Sequence, residues 1–323
     1  MLAGPDVAVA GDVNVDILMR VKRLPEEDIS VTAEYAAIAH GGVGGNIATA
    51  LSRLGLRVAL VGAVGRDVLG DIALRELEGE GVDTSLVERV SGVSTGIIAV
   101  FVREGGLRSI VGYRGANAYA PLTDKCLGLA RRCRYLHASG YMMLNRDGGR
   151  LVVELLKASR DEGVATSIDL EGVAVERPDR IPLVAGLARY VFLNVDEARY
   201  AASTDDLGVA VRRLFKVLRP EALFVKAGGE GSIVATSPGD LVRVEAFRVE
   251  AIDSTGAGDA FNAGVIYGVL NGLSPVEAAL LGNAMGAYSC LGWGARHLPR
   301  GLRELGDVVK GVKPLVNRLV GAG

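Results

Sequence analysis

The stretch Asp253-Ser-Thr-Gly-Ala-Gly-Asp-Ala-Phe-Asn262 reads as an anion cradle with a base built into it. Gly256 and Gly258 permit a tight turn with exposed backbone N–H groups, and the Ala- and Val-rich run 260–270 that follows predicts a helix. A helix N-terminus attracts phosphate, because its first amides lack intrahelical acceptors and the helix dipole adds partial positive charge. Asp259 falls in the first turn, beside whatever anion the glycines hold. A carboxylate there can take a proton from an attacking hydroxyl. The same residues also suit a plain helix cap behind a glycine turn, and this stretch alone does not separate the two.

The 323 residues leave room for one large α/β domain or two, with a sizeable core. A net charge of −2 offers no strongly basic face, so nucleic acid is not an expected partner. Cys126, Cys133 and Cys290 form no C-x-x-C pair, which points to thiols in a reducing cytosol rather than to zinc or redox chemistry. The N-terminus lacks the charge and apolar pattern of a signal peptide. The longest uncharged run, 35–52, is interrupted by His40, Asn46 and four glycines and makes a poor membrane span. A cytoplasmic protein is expected.

In chain order, residues 7–10 read as a buried first strand whose polar end, through Asn14 and Asp16, meets a ligand as strand C-terminal ends do in α/β sheets. A β-rich run, 29–38, suggests a small sheet outside the main one. Gly41-Gly-Val-Gly-Gly-Asn46 precedes a helix ending at Gly55 and again permits close backbone approach to a ligand. It does not match G-x-G-x-x-G, and no segment matches G-x-x-x-x-G-K-S/T, so a dinucleotide oxidoreductase and a P-loop enzyme lose their support. A hairpin is expected over 97–102 and 109–113, turning at Glu104-Gly-Gly106. Strands and helices then alternate to Lys226, which predicts a mainly parallel sheet covered on both faces. Ser274-Pro-Val-Glu277 is a capping box opening a helix to about 291, and 302–320 reads as one terminal helix.

Taken together, these motifs resemble the ribokinase-like (PfkB) family of carbohydrate kinases almost end to end. Residues 253–262 resemble its C-terminal signature and 41–55 its Gly-Gly-x-x-x-Asn pattern. Asn194-Val-Asp-Glu197 resembles its N-x-x-E motif, Lys226-Ala-Gly-Gly-Glu-Gly231 its K-x-G-x-x-G, and Gly115-Ala-Asn117 the segment after the lid hairpin. The resemblance implies one doubly wound α/β kinase domain over 1–323 with a small β-sheet lid from about 15–40 and 93–117. It implies ATP and Mg²⁺, with Asp259 as base and the amides of Gly256, Ala257 and Gly258 holding the transferred phosphoryl group. Asn14, Asp16, Gly42, Asn46, Arg114 and Asn117 would read the acceptor. Asn194, Lys226, Gly228, Gly231 and Asn283 would line the nucleotide. Glu197 would act on Mg²⁺ through water, and Asp253 matches a position near a monovalent cation such as K⁺. A homodimer through the lid is also implied.

The acceptor stays open between a sugar, a nucleoside and fructose 6-phosphate, with 2-keto-3-deoxygluconate less favoured. Val43 stands where bacterial ribokinases usually carry Lys, and Met142-Met-Leu-Asn145 lacks the Glu they place there. Arg103, Arg108 and Arg114 suit a phosphate or carboxylate. Val43 and the two methionines suit a base, or simply a core. Asp169-Leu-Glu-Gly172 lacks the Asn and Arg of keto-deoxy sugar kinases. The rival of another class is a non-catalytic sugar or nucleotide sensor, which would have lost the base or its glycines.

Overall fold

Alternate residues of the central strands face two different apolar layers, and this period of two builds the molecule. The computed structural model describes residues 4–103 and 108–321. In chain order the strands are β1 (Val7–Ala10), β2 (Asn14–Arg20), β3 (Tyr35–Gly41), β4 (Val58–Gly65), β5 (Asp83–Val90), β6 (Gly96–Val102), β7 (Arg108–Tyr113) and β8 (Tyr135–Ser139). They continue as β9 (Ala165–Asp169), β10 (Tyr190–Asn194), β11 (Ala222–Lys226), β12 (Ser232–Ser237) and β13 (Asp240–Val244). The helices are α1 (Val43–Arg53), α2 (Val68–Gly79), α3 (Asp124–Ala130), α4 (Arg150–Asp161), α5 (Glu171–Glu176) and α6 (Val195–Ala202). They continue as α7 (Leu207–Leu218), α8 (Ala257–Leu270), α9 (Pro275–Ser289), α10 (Leu302–Val308) and α11 (Lys313–Gly321).

Nine strands form one sheet in the order β13-β12-β11-β10-β9-β8-β1-β4-β5. It is parallel except where β12 pairs antiparallel with β11 and β13. Val7, Val9, Phe192 and Phe224 point to the layer that holds Ile47, Phe261, Val265 and Met285; Ala8, Ala10, Val191 and Leu193 point to the opposite layer with Leu151, Leu155 and Leu214. Because the chain leaves β1 to pair β4 on one side and β8 on the other, the sheet reverses direction of growth at β1. A crevice opens outside the carboxyl ends of the strands at such a point. A separate sheet, β3-β2-β6-β7, stands beside it.

Several boundaries differ from the sequence expectation. Asn14 and Asp16 begin β2 of the small sheet instead of ending β1. The β-rich run starts pairing only at Tyr35. The β5 strand and the β12–β13 hairpin were not anticipated, although the Pro238-Gly239 turn between alternating runs signals the latter. The terminal helix is two helices, because Pro314 inside one continuous helix would clash with the preceding turn, whereas in the first turn of α11 its missing N–H costs nothing. The hairpin turn Glu104-Gly-Gly106 lies outside the described residues.

Candidate active site

The carboxyl ends of five neighbouring strands each deliver a polar group to the crevice. Asp12 and Asn14 follow β1, Ser139 ends β8, Asp169 ends β9, Asn194 ends β10 and Lys226 ends β11. Helix α8 points its N-terminus at the same place, anchored by Phe261, whose ring meets Phe192 edge-on with centroids 6.5 Å apart. Gly256 caps α8 at φ 76°, and a Cβ there would lie 2.6 Å from the Ala295 carbonyl oxygen, so only glycine lets the turn close. The N–H of Ala257 donates to Ser254 O at 3.3 Å, so one of the three amides expected to hold phosphate also closes the turn.

Asp259 lies in the first turn of α8, and its Oδ2 accepts from Asn46 Nδ2 at 2.7 Å. Burial pushes its carboxyl up to about 7; Asn46 and Lys226 oppose the rise, while Asp169 and Asp16 add to it. A base poised near neutral pH suits proton abstraction from a hydroxyl. Asp16 is buried, one of its oxygens has no partner among the described residues, and burial raises its carboxyl to about 6 against the pull of Arg296.

Behind Asp259 lies a buried polar network. Lys226 Nζ pairs with Asp169 Oδ2, which also accepts from Asn262 Nδ2 at 2.6 Å. Burial by itself lowers the proton affinity of Lys226, but Asp169, Glu197 and Glu171 together raise it above the ordinary lysine value. Ser139 Oγ donates to Glu171 Oε2 at 2.6 Å, and burial followed by the charges of Asp169 and Asp259 drives the Glu171 carboxyl well upward. Glu197 and Asn194 close a capping box on α6, with Asn194 N donating to Glu197 Oε2 at 2.7 Å. Burial and the charge of Asp169 raise the Glu197 carboxyl.

Two clefts meet at Lys226 and Gly228. One, of about 520 Å³, is lined by Gly231, Phe247, Ala257, Gly258 and Asn283; the other, of about 550 Å³, by Asn194, Asp196 and Arg199. Asn283 fixes its edge by donating to Val244 O at 2.9 Å and Glu245 O at 3.1 Å.

Four expected residues have other work. Asn117 spends its amide on Val13 N, Val13 O, Arg114 O and Asn14 Oδ1, so it holds Asn14 in place instead of presenting a free amide. Arg114 forks onto both oxygens of Asp12 at 2.8 and 2.7 Å and donates to Asn145 at 2.9 Å, so its charge is already matched. Gly42, at φ 85°, lets α1 back onto residues 12–14, but the N–H groups of Gly44 and Gly45 donate to Asp12 O rather than standing free for a ligand. Asp253 accepts from Thr255 and, at 3.0 Å, from Gly294 N, tying two loops together. Sequence reasoning missed Asp12, Asp169, Asn262 and Arg296. Asn262 and Asp169 sat inside the quoted stretches, but the pairing of Asp169 with Lys226 joins residues 57 apart and left no local signal.

A model of the pfkB family of carbohydrate kinases matches residues 5–300. The chain belongs to this family. It is similar to the ATP-dependent ribose-1-phosphate kinase of Halopiger xanaduensis, 31% identical over 302 residues that cover 91% of this chain and 94% of that protein. Its fold is that of Arabidopsis thaliana ribokinase complexed with ribose and ATP, with a TM-score of 0.83, 23% identity and coverage of 95% and 99% of the two chains. Adenosine kinase from Sinorhizobium meliloti superposes with a TM-score of 0.81 at 26% identity, covering 96% and 100%. The protein is thus an ATP-dependent kinase of ribokinase-like fold that transfers a phosphoryl group to a sugar hydroxyl. The sensor alternative is set aside. Among the described residues, no helix is long and apolar enough to cross a membrane.

Proposed function

We propose that the acceptor is a sugar or glycoside carrying a ribosyl ring, with Asp259 taking the proton from the attacking hydroxyl and Asp16 and Asn14 reading the other hydroxyls. The observation that carries this reading is Asp16, buried with an unpartnered oxygen and close enough to Asp259 to perturb it. A buried acceptor of that kind calls for a donor from the substrate. Ribose 1-phosphate, ribose and adenosine, in the names of the relatives above, share the ribosyl group. For an anionic acceptor such as fructose 6-phosphate, Arg114 is already matched by Asp12, which leaves Arg103, whose buried Nε has no partner among the described residues. Met142 and Met143 are wholly buried, which removes them as a surface for a nucleoside base.

ATP fits the cleft of about 520 Å³ with its adenine toward Asn283 and its phosphates along Gly228, Lys226 and the α8 terminus. Among the described residues no three carboxylate, imidazole or thiol side chains are placed to hold a metal, so Mg²⁺ would be carried by the phosphates, with Glu197 acting on it through water. The metal would neutralise charge on the phosphates, and Glu197 would hold its water shell. Glu197→Gln is expected to raise the Mg²⁺ concentration for half-maximal rate, and an unchanged dependence removes Glu197. For K⁺ beside Asp253, rates in KCl against choline chloride decide. A cytoplasmic location, where ATP and Mg²⁺ are supplied, belongs to the same reading.

The small sheet acts as the lid, over about 15–40 and 93–117 of a single 1–323 domain. Its face opposite Asp16 exposes Ile38, Val111 and Tyr113, an apolar surface that a second copy of the chain would cover. Light scattering at micromolar concentration tests this, since a monomer rules out the lid dimer. The acceptor itself is tested by coupled ATP consumption with ribose, ribose 1-phosphate, adenosine, cytidine, fructose 6-phosphate and 2-keto-3-deoxygluconate. A ribosyl compound is expected to give the highest kcat/KM; preference for either of the last two overturns the proposal.

A further inference from the structure

Asn46 is the hydrogen-bond partner of the base, and an amide can present either of its ends. If Nδ2 faces Asp259, it donates to the carboxylate and stabilises the ionised, proton-accepting form; if Oδ1 faces it, only the protonated acid can bond. The far end of the amide decides which. Asn46 Oδ1 accepts from Arg296 Nε at 3.1 Å, and a guanidinium has donors only, so the amide is locked with Nδ2 toward Asp259. Arg296 is itself held from three sides. Its Nη1 pairs with Glu76 on α2, its Nη2 donates to Gly41 O at 3.2 Å, and its carbonyl accepts from Arg53 Nη1 at 3.2 Å. Arg53 in turn forks onto Glu80 at 2.8 and 2.6 Å. The same loop packs Ala295 against Gly256 and donates from Gly294 to Asp253, so it borders both the base and the phosphate turn.

We infer that Arg296, held by Glu76, is a positioning residue that fixes the orientation and the proton affinity of Asp259 through the Asn46 amide. The inference rests on the assignment of Asp259 as base. The other charged groups facing Asp259 are Lys226 from β11, Asp169 from β9, Asp16 from β2 and Glu171 from α5. Those facing Arg296 are Glu76, Asp16, His40 from β3 and Arg53 from α1. Asp16 faces both Arg296 and Asp259; each of the others faces one of the two.

The experiment is the pH profile of kcat/KM for the best acceptor in wild type, Arg296→Met, Arg296→Lys, Asn46→Ala and the Arg296→Met/Asn46→Ala double variant. Arg296→Met is expected to shift the acid limb upward by about one pH unit, with a loss of ~5-fold at pH 7 that shrinks at pH 9. Arg296→Lys, which keeps a donor, is expected to recover part of the shift. In the Asn46→Ala background Arg296→Met is expected to move the limb no further, the signature of two residues acting as one unit. A loss that is equal at all pH values, or a limb that shifts as much in the Asn46→Ala background, overturns the inference. If Arg296→Met does not fold, Glu76→Gln releases the guanidinium with little change in size and is expected to shift the limb in the same direction; an unmoved limb there overturns it too. Should Asp259→Asn retain wild-type kcat, the base assignment fails first, which separates that outcome from failure of the relay.

Discussion

Asp259 has a raised proton affinity because burial strips its hydration shell faster than Asn46 and Lys226 replace it. Two consequences can be measured. Asp259→Asn keeps the shape and removes the base, so kcat is expected to fall by ~10²–10⁴ with nucleotide binding little changed; retention of most of the wild-type rate disproves the role. The same substitution bears on stability. A carboxyl pushed up to about 7 in the fold, from an ordinary value of 3.8, holds its proton more tightly when folded, so the wild type loses stability as pH rises through that window. The melting-temperature advantage of Asp259→Asn is therefore expected to grow between pH 4 and 7 and to level off above it. A constant difference would mean that the carboxyl is not desolvated. Asp16 carries a different prediction, since on the proposed reading it would meet the acceptor rather than the transferred proton. Asp16→Asn is expected to lower kcat/KM for the acceptor by ~10–100-fold, the range of a hydrogen bond to a charged group, without moving the KM for ATP. A shift in the KM for ATP alone would place Asp16 elsewhere.

At the scale of elements, the N-terminus of α8 depends on one left-handed residue and one buried ion pair. Gly256→Ala forces a side chain into φ 76° against the Ala295 carbonyl, at a cost of ~1–2 kcal/mol from backbone strain alone. If the displaced turn carries the phosphate amides, as proposed, kcat is expected to fall further than stability predicts, as thermal melting and turnover on the same sample would reveal. Wild-type turnover in a destabilised Gly256→Ala protein would separate the turn from catalysis. Lys226 joins β11 to β9 through Asp169, and Asn262 joins α8 to the same carboxylate. Lys226→Met leaves a charge buried without its counter-ion and is expected to destabilise the fold by ~3–5 kcal/mol, read from urea unfolding.

For the whole molecule, the crevice at the switch point holds Asp259 and the glycine turn before α8, while the small sheet supplies Asn14 and Asp16. On the proposed reading, acceptor binding and phosphoryl transfer would meet where the two sheets meet, which would give a lid a reason to exclude water. ATP hydrolysis without acceptor is expected to be at least ~10²-fold slower than sugar phosphorylation, the loss typical of a missing oriented nucleophile; comparable rates would deny the lid that function. Much of this was legible in the chain. Local chemistry placed the glycine turn before α8, Asp259 in its first turn, the capping box at Ser274 and Glu277, and the alternation that makes a parallel sheet, since each depends on neighbours a few residues away. The sequence did not disclose that Arg114 would be matched by Asp12, that Asn117 would clamp Asn14, or that Arg296 would reach Asn46 across 250 positions. A side chain of either amide or guanidinium type offers the same donors wherever it lies, and only the packing of distant elements decides which acceptor it meets and whether any capacity is left for a substrate.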